Sequence, residues 1–183
     1  MKLEWRRVEP TTVQMVGDYR TMVRKNFILP SGELREFVIK DEENSTAQSI
    51  IVITPDNKIV LAKQYRPVPE KVMYELPGGG REGSETPERA VVRELKEETG
   101  CNVGSVEHLG HIYKDAYTNT KRSYFIGYDC TPSGEGQQLD EAEFIDPVLV
   151  TADELFDLAR NQSMTDTEAL FLAYEKLKGI AKE

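Results

Sequence analysis

The chain has little cysteine, a deficit of positive charge and no long apolar run. Two cysteines, Cys101 and Cys130, occur in 183 residues. Their spacing fits neither a zinc site nor a redox pair, so both are expected to be buried thiols in a reducing compartment. Lysine and arginine number 23 against 32 aspartates and glutamates, a formal net charge of −9. That balance argues against nonspecific binding to nucleic acid or to an anionic membrane. The apolar run Ile50 to Ile53 is far too short to span a bilayer. The opening MKLEWRRVEP lacks the apolar core of a signal peptide, so a cytoplasmic location is expected. There is no internal repeat and no low-complexity segment.

What is present suits a folded protein. Charged residues make up 30% and hydrophobic ones 39% of the chain, enough for one domain with a core and a small appendage. An anionic substrate would be repelled by the protein's own field. Bound cations and a few placed arginines would have to offset that locally.

The most informative stretch runs from Gly79 to Cys101, GGREGSETPERAVVRELKEETGC. Thr86 suits a helix N-cap, Pro87 the first helical position and Gly100 a left-handed stop. At about 100° per residue, Glu94, Glu97 and Glu98 share one arc, with Ala90 inside it and Val91 and Leu95 beside it. A carboxylate cluster therefore borders the core-facing stripe. Like charges three and four residues apart repel, and the helix dipole is negative at this end. A hard divalent cation would reverse the sign of both penalties. Three glutamates alone would favour a solvated acidic face.

The wider spacing decides against that bland reading. Gly79, Glu85, Arg93, Glu94, Leu95, Glu97, Glu98, Gly100 and Cys101 fit the pattern G-x5-E-x7-R-E-U-x-E-E-x-G-U, with U a bulky apolar residue or cysteine. This resembles the Nudix box at every fixed position. The resemblance extends over most of the chain to Nudix hydrolases of the ADP-ribose and nucleoside diphosphate sugar branch. It implies an α/β fold, the Nudix α/β/α sandwich with a mixed sheet. It also implies metal-dependent hydrolysis of a pyrophosphate bond, with Mg²⁺, or Mn²⁺, as cofactor. Glu94 and Glu98 would be the main ligands, Glu97 would share or bridge, and the carbonyl of Gly78 would add an oxygen. Glu85 and Arg93 would stand behind them, Arg93 orienting a carboxylate by a forked hydrogen bond; a surface ion pair with Glu97 is its structural alternative.

Residues 1–42 read as an antiparallel β subdomain. Tyr19 to Leu29 and Glu33 to Lys40 are strand-like around the turn Pro30-Ser31-Gly32, with Val23, Phe27, Leu29, Phe37 and Ile39 as apolar faces. Such a unit is too small to hold a core alone. The resemblance implies a homodimer formed through this sheet, which also contributes substrate contacts. Residues 43–183 would be the hydrolase domain. Gln48 to Thr54 and Ile59 to Tyr65 form an expected hairpin around Asp56-Asn57. Val72 to Leu76 leads into the glycines before the helix. Val106 to Tyr113, Ser123 to Cys130 and Phe144 to Val150 follow as strands. Thr151 opens a helix with a capping box to Glu154, and Thr165 opens the last helix, with Leu170, Leu172, Ala173 and Leu177 near its apolar face.

By the same resemblance, a general base lies on the loop Asp140-Glu141-Ala142-Glu143, with Glu141 as first choice and Glu143 as second. Gln64-Tyr65-Arg66 and Tyr74-Glu75-Leu76 match segments of the branch, so Tyr65, Arg66 and Glu75 are expected at the substrate site. Tyr19 or Tyr113 are weaker candidates for stacking a base. One departure matters. The region Asp115 to Asn119 lacks a proline common in ADP-ribose hydrolases, which leaves room for GDP-mannose or other nucleotide sugars. The alternatives are a nucleoside triphosphate pyrophosphohydrolase and a non-catalytic regulator that binds nucleotide sugars.

Overall fold

The computed structural model describes residues 4–16, 20–141 and 143–180. By their contacts these fall into two units. The first reaches to Thr46 and takes in Ile112–Arg122; the second holds Ala47–His111 and residues from Ser123 onward.

The first unit contains a three-stranded antiparallel sheet of β1 (Arg6–Val16), β2 (Arg20–Ile28) and β3 (Leu34–Lys40), in that order. β2 and β3 form the expected hairpin; Tyr19 lies outside the described residues. β1 was not expected, because its sequence mixes charges and a proline with few apolar residues, and nearly all of it is exposed. What holds one end of this sheet is aromatic. Trp5 sits 5.2 Å from Phe37 and 6.1 Å from Phe27 between ring centroids. The segment 112–122 joins through backbone bonds, Lys40 N–H to the Tyr117 carbonyl at 2.8 Å and Asn119 N–H to the Lys40 carbonyl at 2.9 Å. Thr120 adds a hydroxyl bond to the Asp41 carboxylate at 2.7 Å.

In chain order the remaining elements begin with β4 (Thr46–Ile53), β5 (Ile59–Arg66) and β6 (Lys71–Glu75). Then come α1 (Pro87–Thr99), β7 (Cys101–Asn102), β8 (Ser105–Tyr113), β9 (Lys121–Tyr128), β10 (Thr131–Pro132) and β11 (Asp146–Val150). Three helices follow, α2 (Ala152–Arg160), α3 (Thr167–Leu172) and α4 (Tyr174–Ile180). The main sheet runs β11-β5-β4-β9-β8, with β6 paired to the far half of β5. Alternation along the strands shows that helices cover both faces. Phe125 packs with Val91 and Leu95 of α1, whereas its neighbour Tyr124 reaches Glu168 of α3 at 3.5 Å. In β4, Ile50 and Val52 join the α1 cluster while Ile51 and Ile53 are buried as well. A strand buried on both faces reads as an unbroken apolar run, which is why Ile50 to Ile53 is one. This is the layered α/β architecture expected from the order of elements.

α2 carries its full capping box between Thr151 and Glu154. The last helix departs from expectation. It breaks at Ala173, and its first residue is preceded by Asp166 in a left-handed conformation, not capped by Thr165. The i to i−4 bonds of Ala173 to Ala169 and Leu177 to Ala173 still carry through the break. Among the described residues no helix is long and apolar enough to cross a membrane.

α1 starts and stops where its sequence directs. The Thr86 hydroxyl accepts from the Arg89 N–H, Pro87 leads, and Gly100 ends the helix at φ 68°. A β-carbon on Gly100 would lie 2.9 Å from the Gly136 carbonyl carbon. Gly100→Ala therefore meets both a left-handed penalty of about 1–2 kcal/mol and a backbone clash. Urea unfolding should show a loss of at least that size; an unchanged midpoint would mean the helix end moves freely.

Candidate active site

The site grows from the junction of β4, the glycine loop and α1. Ile50 N–H bonds the Pro77 carbonyl at 3.0 Å and Gln48 N–H the Gly79 carbonyl at 2.9 Å. The loop thus runs along β4 like a strand, and the intervening Gly78 carbonyl points away from it. The Gly78 N–H donates to Glu98 Oε2 at 2.9 Å. At Gly79 a β-carbon would collide with the Glu94 carboxylate. The loop lacks a side chain where a helix carboxylate must lie against backbone.

Val91 and Leu95 are fully buried and orient the helix. Glu98, one turn on from Glu94, is carried into the interior with 6% exposure. Burial pushes its carboxyl up to about 8, relieved in part by the Gly78 N–H and reinforced by the charges of Glu94, Glu143 and Glu75. Glu94 is likewise raised, first by burial, with Arg93 pulling the other way.

Arg93 ties the acidic face together. Its guanidinium forks onto Glu85, with Nε to Oε1 at 3.3 Å and Nη2 to Oε2 at 3.2 Å. It also bonds Glu97 at 2.7 Å, Glu94 at 3.1 Å and the Gly80 carbonyl at 3.0 Å. Partial burial pulls its pKa down, but the Glu85, Glu94 and Glu97 carboxylates hold it above the ordinary value. Arg93 in turn holds the Glu85 carboxyl below its usual range.

A cavity of about 330 Å³ opens in front of these groups, lined by Glu94, Glu97, Glu98, Gly78 to Gly80 and Arg93. Gln64 and Arg66 of β5 line it as well. Arg66 forks onto Glu75, with Nε to Oε1 at 2.7 Å and Nη2 to Oε2 at 2.5 Å. The Glu75 bond is the main reason its pKa is raised, with Glu98 and Asp166 contributing. Tyr65 points the other way, as strand alternation requires, and is exposed and absent from the lining. The acidic loop supplies Gln138, Asp140 and Glu143 to the cavity wall, while Glu141 is exposed and outside it. Glu143 also closes its own turn, its carboxylate accepting from the Asp140 N–H at 3.1 Å. Tyr113 belongs to the first unit and carries Lys121 5.4 Å from its ring centre; Tyr19 lies outside the described residues.

Gln64, Gln138 and Asp140 are lining residues that sequence reasoning did not single out. Period-two alternation could have found Gln64, because it shares a strand face with Arg66. Nothing local distinguishes Gln138, whose place follows from its N–H bond to the Glu97 carbonyl at 2.8 Å.

The donor chemistry fits a hard divalent cation. Glu98 and Glu94 are desolvated carboxylates, and the Gly78 N–H bond to Glu98 brings that glycine's backbone to them. Among the described residues no three histidines, cysteines or acids are gathered into a finished metal cage. Glu97 and Glu94 are instead held by Arg93. A cation that binds through one or two carboxylates and completes its shell with water and substrate phosphate needs no finished cage.

The pKa of Glu98 has a consequence for stability. Its folded value, about 8, lies above the ordinary 4.5. Between these, unfolding releases a proton, so the metal-free protein should lose stability as pH rises across that window. Glu98→Gln should flatten this slope and be the more stable form near pH 8, by on the order of a few kcal/mol. Urea unfolding in chelator across pH 5 to 9 measures it, and parallel slopes for the two proteins would refute it.

Comparison with known proteins agrees with this geometry. The NUDIX domain pattern matches residues 43–171. Over 154 residues the chain is 28% identical to an ADP-ribose pyrophosphatase of Bacillus subtilis, covering 82% of this chain and 81% of the relative. Over 145 residues it is 30% identical to a methanol dehydrogenase activator of Bacillus methanolicus, covering 78% and 76%. A crystal structure of an ADP compounds hydrolase superposes with a TM-score of 0.80 at 22% identity, covering 98% of this chain and 97% of the other. Pattern and fold agree with the box read from the sequence: the chain belongs to the Nudix hydrolase family and is similar to relatives named ADP-ribose pyrophosphatases.

Proposed function

We propose that the protein hydrolyses the pyrophosphate link of nucleoside diphosphate sugars of the ADP-ribose or GDP-mannose kind. The products are a nucleoside monophosphate and a sugar phosphate. The observation that carries this reading is the pair of desolvated carboxylates, Glu94 and Glu98, lining one cavity together with Arg66. Phosphoryl transfer needs little covalent help from a protein. It needs negative charge neutralised and water placed in line. A Mg²⁺ or Mn²⁺ ion bound there supplies that neutralisation and acidifies a water. Glu98 and Glu94 would hold it, with Glu97 and the Gly78 carbonyl in support. Glu85 acts through Arg93, which sets the orientation of Glu97. Arg66, aimed by Glu75, takes a phosphate oxygen.

Hydrolysis forms one P–O bond to water and breaks the P–O bond to the leaving phosphate. The water's proton passes to a loop carboxylate. Glu143 is favoured over Glu141 for this by its place on the cavity wall. The name of the Bacillus subtilis relative supports ADP-ribose as one substrate. The reading further includes a cytoplasmic location and a homodimer through β1 to β3, where Val13, Met15, Leu34 and Val38 are exposed.

The regulatory alternative draws support from the methanol dehydrogenase activator. A full set of box carboxylates weighs against a purely binding role.

The test is phosphatase-coupled phosphate release over a panel of nucleotide sugars and triphosphates, with Mg²⁺ and with Mn²⁺. Turnover of a nucleotide sugar is expected. Glu98→Gln should lower kcat roughly 100-fold or more while folding normally. Inorganic pyrophosphate released from triphosphates would favour the triphosphate alternative, and tight nucleotide-sugar binding without turnover the regulator. Sedimentation should give a dimer that Met15→Glu weakens; a monomer at micromolar concentration would remove that part of the reading.

A further inference from the structure

The C-terminal carbonyls of a helix have no partner within it and must find donors elsewhere. In α1 these carbonyls organise the acidic loop. The Gly100 N–H closes back onto Lys96 and the Cys101 thiol lies 3.7 Å from the Thr99 carbonyl, but the carbonyls of Glu97, Glu98 and Gly100 are met from residues 133–138. Ser133 N–H meets the Gly100 carbonyl and Gln138 N–H meets the Glu97 carbonyl, both at 2.8 Å. The Glu98 carbonyl is taken by a side chain, Gln137 Nε2, at 2.6 Å. The same amide nitrogen donates to the Ile145 carbonyl at 3.0 Å. One NH₂ group therefore joins three things: the carbonyl of the most buried site carboxylate, the start of the loop, and its return into β11. Between the two tied ends lie Asp140 and Glu143, the loop acids on the cavity wall.

We propose that Gln137 is a positioning residue, a two-donor clamp that sets the distance between the loop acids and the end of α1. The inference rests on the hydrolase reading above and adds to it the element that holds the base. The clamp requires a donor facing two carbonyls. A carboxylate of the same shape has none and is repelled by both acceptors and by the negative helix end. A guanidinium keeps the donors and suits that end.

Three variants separate the clamp from simple helix capping. Gln137→Glu should lower kcat about tenfold with KM within about twofold, because misplacement of a reacting group acts on the transition state. Gln137→Arg should recover most of that loss. Glu135→Gln removes the 3.0 Å ion pair to Lys96 at the same helix end and should leave kcat unchanged. In parallel, hydrogen exchange in the substrate-free protein should be several-fold faster in Gln137→Glu at the Gln138 and Glu143 amides. Wild-type kcat in Gln137→Glu overturns the proposal, as does an equal loss in Glu135→Gln or unchanged exchange at Glu143. If the parent chain turns over nothing in the panel, the hydrolase reading fails, and exchange alone decides the clamp.

Discussion

Glu98 is buried because the helix that carries it is pinned on both sides. Val91 and Leu95 anchor one face in the cluster with Ile50, Val52 and Phe125. The glycine loop, zipped onto β4 through Pro77 and Gly79, closes over the other. A carboxylate left there pays for desolvation with a raised pKa, softened by a single backbone N–H. Sheet, loop and helix all have to hold position for that unfavourable placement to persist. Local cost at a site supported by a well-packed surround is the usual form of a functional compromise.

The acidic chain answers its own charge with a few placed cations. Arg93 spreads one positive charge over Glu85, Glu94 and Glu97. Arg66 lines the same cavity, forked onto Glu75. Neither guanidinium reaches the Glu98 carboxylate by a hydrogen bond in the geometry above, so that group is where added positive charge does most. At a net charge of −9, such local compensation is what an anionic ligand would require.

Much of the site was legible in advance because the box is local. Its cap, its proline, its stop and the arc of its glutamates depend on positions within one helix, where spacing translates directly into direction. Arg66 and Glu75, both expected at a substrate site, pair with each other, which no spacing foretold. Tyr65 shows the limit. A segment can match a family pattern while one of its residues faces away, and the strand period decides which. Glu143 and Glu141 differ by two positions on a loop. Which of them reaches the cavity wall depends on how the loop is tied to α1, and no spacing rule expresses that. β1 was missed for another reason: an exposed strand buries little and needs no apolar alternation.

By itself, then, the order of residues determined the elements whose logic is short-range: α1 with its caps, the capping box of α2, the doubly buried β4 and the chemistry of an oxygen-rich acidic site. The tertiary structure alone decided which groups meet. It placed Arg93 among three acids, joined residues 112–122 to the N-terminal sheet, and hung the loop of Asp140 and Glu143 on the last carbonyls of α1. Those outcomes rest on hydrogen bonds between residues far apart in the chain. Such bonds are selected by how buried donors and acceptors can all be satisfied at once, a condition that no local window contains.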